Sequence, residues 1–203
     1  MLPSARSTTA VDQVVDVFDS PIGAYRTSNL AGVRWSKLAI NCAISSMGTI
    51  GGDRLGVLMR HRFVRRFALE IMSEVVAVAV AEGVSPEKVA GTLDLEWLAL
   101  TDAERQASGS PGLFAKHSVL LAVGTKFRNM RSSMLAAIER GREPSVAFLN
   151  GEIVERAAKY GLEVPANQAL LDGVWSVSNR DVRPSIETLR GIFEGTQFLS
   201  RAS

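Results

Sequence analysis

The chain has 203 residues, 46% of them hydrophobic and 22% charged, with 23 Lys+Arg against 21 Asp+Glu for a formal net charge of +2. That length buries one real core. The apolar content excludes a disordered or collagen-like chain, and the near-neutral balance argues against a bulk nucleic-acid binder. One cysteine, Cys42, and two histidines leave no internal disulfide and no His/Cys zinc cage.

The first ten residues lack the apolar stretch of a signal peptide. The longest apolar-rich run, Val75 to Ala81, is too short to cross a bilayer. A soluble cytoplasmic protein without membrane or nucleic-acid partners is expected.

Period 3.6 dominates the hydrophobic pattern, and almost no window alternates. Val11, Val14, Val15 and Phe18 mark a short first helix, ended by Asp19-Ser20-Pro21-Ile22-Gly23. It reads equally as the remnant of an upstream domain and as a leading helix of the bundle. A second helix runs from about Leu30 to Ile50, stopped by Gly48, Gly51 and Gly52. Asp53 to Glu82 form the longest helical pattern, with Val64, Phe67, Ile71, Val75 and Val78 on one face and a stop at Gly83. Ser85-Pro86-Glu87 then looks like the start of another helix. After a Ser/Gly/Pro-rich loop at 106–112, helices are predicted over Leu113–Arg140, Ser145–Tyr160, Ala166–Val177 and Pro184–Glu194. The expected fold is all-α, one compact multi-helix domain over residues 29–203, with 1–28 as linker or remnant.

Chemistry concentrates in Trp35-Ser36-Lys37-Leu38-Ala39-Ile40-Asn41-Cys42-Ala43-Ile44-Ser45. Lys37, Asn41 and Ser45 stand at i, i+4 and i+8, so they form one polar row on an otherwise apolar helix. An ammonium, an amide and a hydroxyl in line suit a small polar anion, and a lysine desolvated beside apolar neighbours can donate a proton to a developing alkoxide. A solvated helix face with Lys37 pointing outward is the competing reading.

A second stretch bears on that choice. Arg131-Ser132-Ser133-Met134-Leu135 leads through Glu139-Arg140-Gly141-Arg142 to Phe148-Leu149-Asn150-Gly151 and Gly161-Leu162-Glu163-Val164-Pro165-Ala166-Asn167. With Trp35-x-Lys37-Leu38-x-x-Asn41, these motifs resemble the C-terminal helical domain of the ketopantoate reductase (2-dehydropantoate 2-reductase) family over about residues 29–180. The resemblance implies reduction of a 2-oxo acid by NADPH, within pantothenate biosynthesis. The cofactor would sit on a Rossmann domain, and the helical domain would close over the substrate. It places the ketone-polarising lysine on Lys37 and the substrate-binding asparagine on Asn41. It also places a second row position on Ser45, where the family has asparagine, and a substrate-contacting serine on Ser133. A homodimer is implied as well.

The sequence departs from that pattern in three places. Ser145 stands at the family's cofactor-proximal glutamate, with Glu143 nearby but separated by Pro144; Ala137 replaces a further acidic residue. No strand followed by G-x-G-x-x-G is found, so the Rossmann domain is expected outside this chain, a separate or missing partner without which the chain binds no NADPH and stays inactive. Gly48-Thr49-Ile50-Gly51-Gly52 reads as a helix stop before a phosphate cradle. A diverged substrate, or a non-catalytic helical remnant or assembly module, are the alternatives.

Other residues have bland expectations. Arg54, Arg60, Arg62, Arg65 and Arg66 with His61 read as a solvated basic face balanced by Glu70 and Glu74. Cys42 reads as a small core filler. Trp35, Trp97 and Trp175 read as anchors, and Asn150-Gly151 as a close backbone contact within a helix.

Overall fold

The computed structural model describes residues 27–87, 93–107 and 109–202, with side chains as far as Gln197. The helix expected at 10–18, the linker assignment up to 26 and the helix expected after Ser85 lie wholly or mostly outside the described residues. The chain divides into two units, 1–30 and 31–203, and apart from Leu30 the residues described below belong to the second.

Among the described residues the elements are helices: α1 (Leu30–Gly51), α2 (Leu55–Leu58), α3 (Arg62–Ala81), α4 (Leu95–Leu98), α5 (Asp102–Gln106), α6 (Pro111–Lys126), α7 (Ser133–Glu139), a 3-10 turn (Ser145–Phe148), α8 (Asn150–Lys159), α9 (Pro165–Ser178) and α10 (Ile186–Ala202). None is long and apolar enough to cross a membrane.

Helix α3 is the hub, in contact with α4, α6, α8, α9 and α10. Its predicted apolar face is buried, but so are Leu69, Met72 and Ala79 on other sides. A helix surrounded on nearly all sides by other helices loses its solvated face. It ends at Gly83, whose φ of 74° lets the Val84 amide reach back to the Ala79 carbonyl at 2.9 Å.

Three predicted helices are broken, each for a visible reason. The Asp53–Glu82 pattern is interrupted at Met59–His61, where His61 is extended (φ −76°, ψ 126°). The break turns α2 so that it lies against α6, an approach possible only because Gly124 has no Cβ; one would lie 2.4 Å from that of Met59. The Leu113–Arg140 pattern breaks at 127–132, where the Arg128 and Met130 carbonyls leave the helix to accept from the Gly56 and Leu55 amides at 3.4 and 2.8 Å. The Ser145–Tyr160 pattern breaks at Leu149 (φ −115°, ψ −95°), which makes Asn150 the first residue of α8. The last helix starts two residues later than expected and runs on to Ala202.

Candidate functional site

Helix α1 carries polar residues on two sides. Toward the core, Cys42, Ser46 and Thr49 are fully buried. Ser46 Oγ donates to Asn150 Oδ1 (2.5 Å), and Asn150 Nδ2 donates to the Cys42 carbonyl (3.3 Å) and to Asn167 Oδ1 (3.0 Å). Asn167 Nδ2 continues to Glu74 Oε2 (2.7 Å), and the Glu74 carboxylate accepts the Ala166 and Asn167 amides, both at 2.8 Å. Glu74 therefore caps the start of α9, where Pro165 occupies the first helical position. Burial outweighs these donors and raises its pKa to about 7. One polar network thus ties α1 to α3, α8 and α9. It corrects the expectation for Asn150-Gly151: Asn150 is consumed internally, and a Cβ on Gly151 would meet nothing closer than 3.6 Å.

Toward α7 the helix is gripped differently. Ser132, the residue capping α7, donates Oγ to the Ser45 carbonyl (3.0 Å), lies 2.8 Å from Thr49 Oγ1 and accepts from the Leu135 amide (3.3 Å). The two backbones approach because Gly48 has no Cβ; one would lie 3.2 Å from that of Ser132. Gly52, with φ 72°, ends α1, and a Cβ on Gly51 would collide with Leu58 at 2.8 Å. The glycine-rich segment is a helix stop, packed on protein rather than cradling phosphate.

This joint floors a cleft of about 710 Å³. Asn41 and Ser45 line it from α1, and Ser132 and Ser133 from the start of α7. Ile40, Ile44 and Met130 supply apolar wall, and Asp53, Lys126 and Arg131 stand at its edges. A second hollow of about 590 Å³ lies on the other side of Asn41, lined by Lys37, Arg34, Trp35, Phe148, Glu152 and Arg156. Asn41 is the one member of the polar row common to both. The structure brings Asn41, Ser45 and Ser133 together in one cleft and puts Lys37 in its neighbour.

Lys37 is exposed, so Leu38 and Trp35 do not desolvate it as expected. Trp35 is half-buried, with the Arg156 guanidinium 5.6 Å from its ring centroid. Arg156 in turn pairs with Glu82 (2.7 Å) and Glu152 (2.5 Å), which hold it firmly protonated. Trp97 is 46% exposed and anchors no core, whereas Trp175 packs against it. Ser145 is exposed at the start of the 3-10 turn and lines neither hollow; Glu143 is exposed too, with buried Pro144 between them. Burial pushes the Cys42 thiol far above its usual range, as suits a core filler.

Sequence reasoning missed Asp53, Lys126 and Glu152 as wall residues. Asp53 and Glu152 directly follow quoted motifs and Lys126 lies within a plain helical window, but no local pattern marks any of them as facing a hollow. Among the described residues no group of His, Cys, Asp and Glu is placed to hold a metal ion, and no strand–turn–helix is present to seat a dinucleotide pyrophosphate.

The family model described as the C-terminal part of the ketopantoate reductase PanE/ApbA family matches residues 29–175. The chain belongs to that family. The matched segment holds both hollows and the buried network. A curated relative, the 2-dehydropantoate 2-reductase of Pyrococcus abyssi, is 28% identical over 161 residues, which cover 79% of this chain and 45% of that protein. The ketopantoate reductase structure from Ralstonia eutropha superposes with a TM-score of 0.62 at 24% identity, covering 83% of this chain and 48% of that one. D-mandelate dehydrogenase with NADH and anilino(oxo)acetate gives 0.63 at 17% identity, covering 84% and 48%. These two likenesses show the fold. The chain spans about half the length of the relatives it matches, and the ketopantoate reductase helical domain is what it contributes.

Proposed function

We propose that this chain is the substrate-binding half of an NADPH-dependent 2-oxo acid reductase of the 2-dehydropantoate type, working with a dinucleotide-binding domain that holds the cofactor. The observation that carries this reading is the shared cleft: Asn41, Ser45 and Ser133 come from two helices separated by about ninety residues of chain, yet face one space. A 2-oxo acid offers a carboxylate and adjacent ketone, and amide and hydroxyl donors at that spacing orient both. Lys126 adds positive charge at the rim, suited to the carboxylate, whereas Arg131 beside it is paired with Glu139 at 2.6 Å.

The bound nicotinamide supplies the hydride. The protein's part is to hold the ketone and neutralise its oxygen as charge develops. Lys37 is one helical turn from Asn41 on the same row and stands at the mouth of the adjoining hollow. It is exposed in this chain, so its work as a proton donor requires a domain closing over it to exclude water. Ser145 brings no carboxylate to the cofactor side, which leaves the substrate free to differ from 2-dehydropantoate. The expression of that difference is a preference among 2-oxo acids.

The test is steady-state kinetics of the chain supplied with a dinucleotide-binding domain, against a panel of 2-oxo acids. Lys37→Ala is expected to lower kcat by roughly 10²–10⁴, the range for loss of a general acid. A variant within threefold of the parent on its best substrate removes Lys37 from the chemistry. No turnover with any 2-oxo acid favours a non-catalytic helical module.

A further inference from the structure

Of the arginines around the start of α3, Arg54, Arg60 and Arg62 are exposed as expected, but Arg65 and Arg66 are drawn inward. Arg66 gives Nε to Glu70 (2.6 Å) and its terminal nitrogens to the Glu104 and Arg105 carbonyls (2.8 and 2.7 Å). Arg65 gives Nη1 to the Met59 and Arg60 carbonyls, and its buried Nε meets no acceptor. Glu74, expected to balance this run, is spent on the start of α9.

Across from them on α6, His117 Nδ1 is also buried without a partner. Burial first, then Arg65, Arg62 and Arg66, press its pKa down to about 4. From α10, Arg190 lays its guanidinium 4.2 Å from the Phe63 ring centroid, and Phe63 stacks obliquely on Phe193 at 5.8 Å.

These groups surround two adjoining hollows of about 460 and 500 Å³ that share Arg62, Leu113 and His117. Among the described residues, no aspartate or glutamate lines either one. Cations gathered at an apolar, concave surface, with two buried nitrogens left unpaired, form an unfinished electrostatic arrangement. An anion supplies the missing acceptor, and guanidinium groups match phosphate oxygens in geometry. The aromatic part of the first hollow accepts a flat apolar body beside that anion.

We propose that this arginine collar binds an organic phosphate monoester: the phosphate at His117, where the hollow lined by Arg65 adjoins the hollow lined by Arg190, and the flat apolar group against Phe63 and Phe193. The site shares no residue with the α1–α7 cleft, and the proposal stands whether or not the chain is a reductase.

The chain's two histidines, His61 and His117, both line the first hollow, so histidine NMR of the full chain reads this site and no other. The probe is phenyl phosphate, compared with inorganic phosphate and phenol. Phenyl phosphate is expected to shift both histidines saturably, about tenfold more tightly than either fragment. It should also raise the pH at which His117 protonates, because a neighbouring anion favours the imidazolium. Arg190→Gln, at an exposed position whose folding is checked by circular dichroism, should weaken phenyl phosphate at least about tenfold. His117→Gln, read through His61, should weaken it as well. The proposal is overturned if no saturable shift is seen, if inorganic phosphate or phenol binds as tightly as phenyl phosphate, or if both folded variants bind it like the parent.

Discussion

Adjacent positions on α1 have opposite fates. Asn41 and Ser45 lie half-buried at the cleft, while their neighbours Cys42 and Ser46 are sealed in the core. Ser46 and its partner Asn150 have their side chains used up by protein acceptors and donors. Asn41 borders two hollows of several hundred Å³ each. Polar side chains one residue apart thus hold the helix in place on one face and line open hollows on the other. On its inner side the network ties the helix to α3, α8 and α9.

The largest expected effect falls on the inner face. Asn150→Ala deletes the acceptor for Ser46 and the donor to Asn167, leaving buried groups unpaired, and should cost about 2–4 kcal/mol in urea unfolding. A loss under about 0.5 kcal/mol would show that the network is ornamental.

Titration sharpens the same point. Glu74 has a folded pKa of about 7, above its unfolded value, so the fold binds this proton more tightly than the unfolded chain does. Its contribution is complete below the unfolded pKa and is lost as pH rises toward 7. His117 acts in the opposite sense: its folded pKa of about 4 means stability is lost as pH falls from about 6.5. In His117→Gln the opposing slope is gone, and the urea midpoint should fall steadily from pH 4.5 to 7. A flat profile in that variant contradicts the burial of an ionisable Glu74.

At the joint of the two faces, Ser132→Ala loses the cap of α7 and a bond to α1. It should cost about 1 kcal/mol and shift the start of α7 enough to weaken substrate. The smallest effect is expected at Asn41→Ala, within about 0.5 kcal/mol of the parent in stability, because no buried partner is abandoned.

Much of this is legible in the amino-acid sequence. The row Lys37, Asn41, Ser45 follows from helical period alone, and the glycine stops after α1 and α3 stand where composition put them. The breaks at Met59–His61, at 127–132 and at Leu149 were not legible. The first depends on a contact between Met59 and Gly124, 65 positions apart, and the second on amides of α2 capturing carbonyls of the α6–α7 loop. Periodicity continues through such breaks because the core remains on the same side of the chain. Asn150 differs for a related reason: Asn150-Gly151 in a helical window reads as a close backbone contact until the buried partners of the asparagine side chain are known. The cleft's Asp53 and Lys126 carry no signal at all in their own neighbourhoods.

The central claim is that α1 divides holding from binding, and one paired measurement addresses it. With a dinucleotide-binding domain supplied, the KM for the best 2-oxo acid and the urea midpoint are measured for Asn41→Ala and Ser46→Ala. The account expects Asn41→Ala to raise KM about tenfold or more with its midpoint unmoved, and Ser46→Ala to lower the midpoint with KM unchanged. If Asn41→Ala instead lowers the midpoint as far as Ser46→Ala while KM stays at the parent value, the outer row is structural and the cleft is not the substrate site.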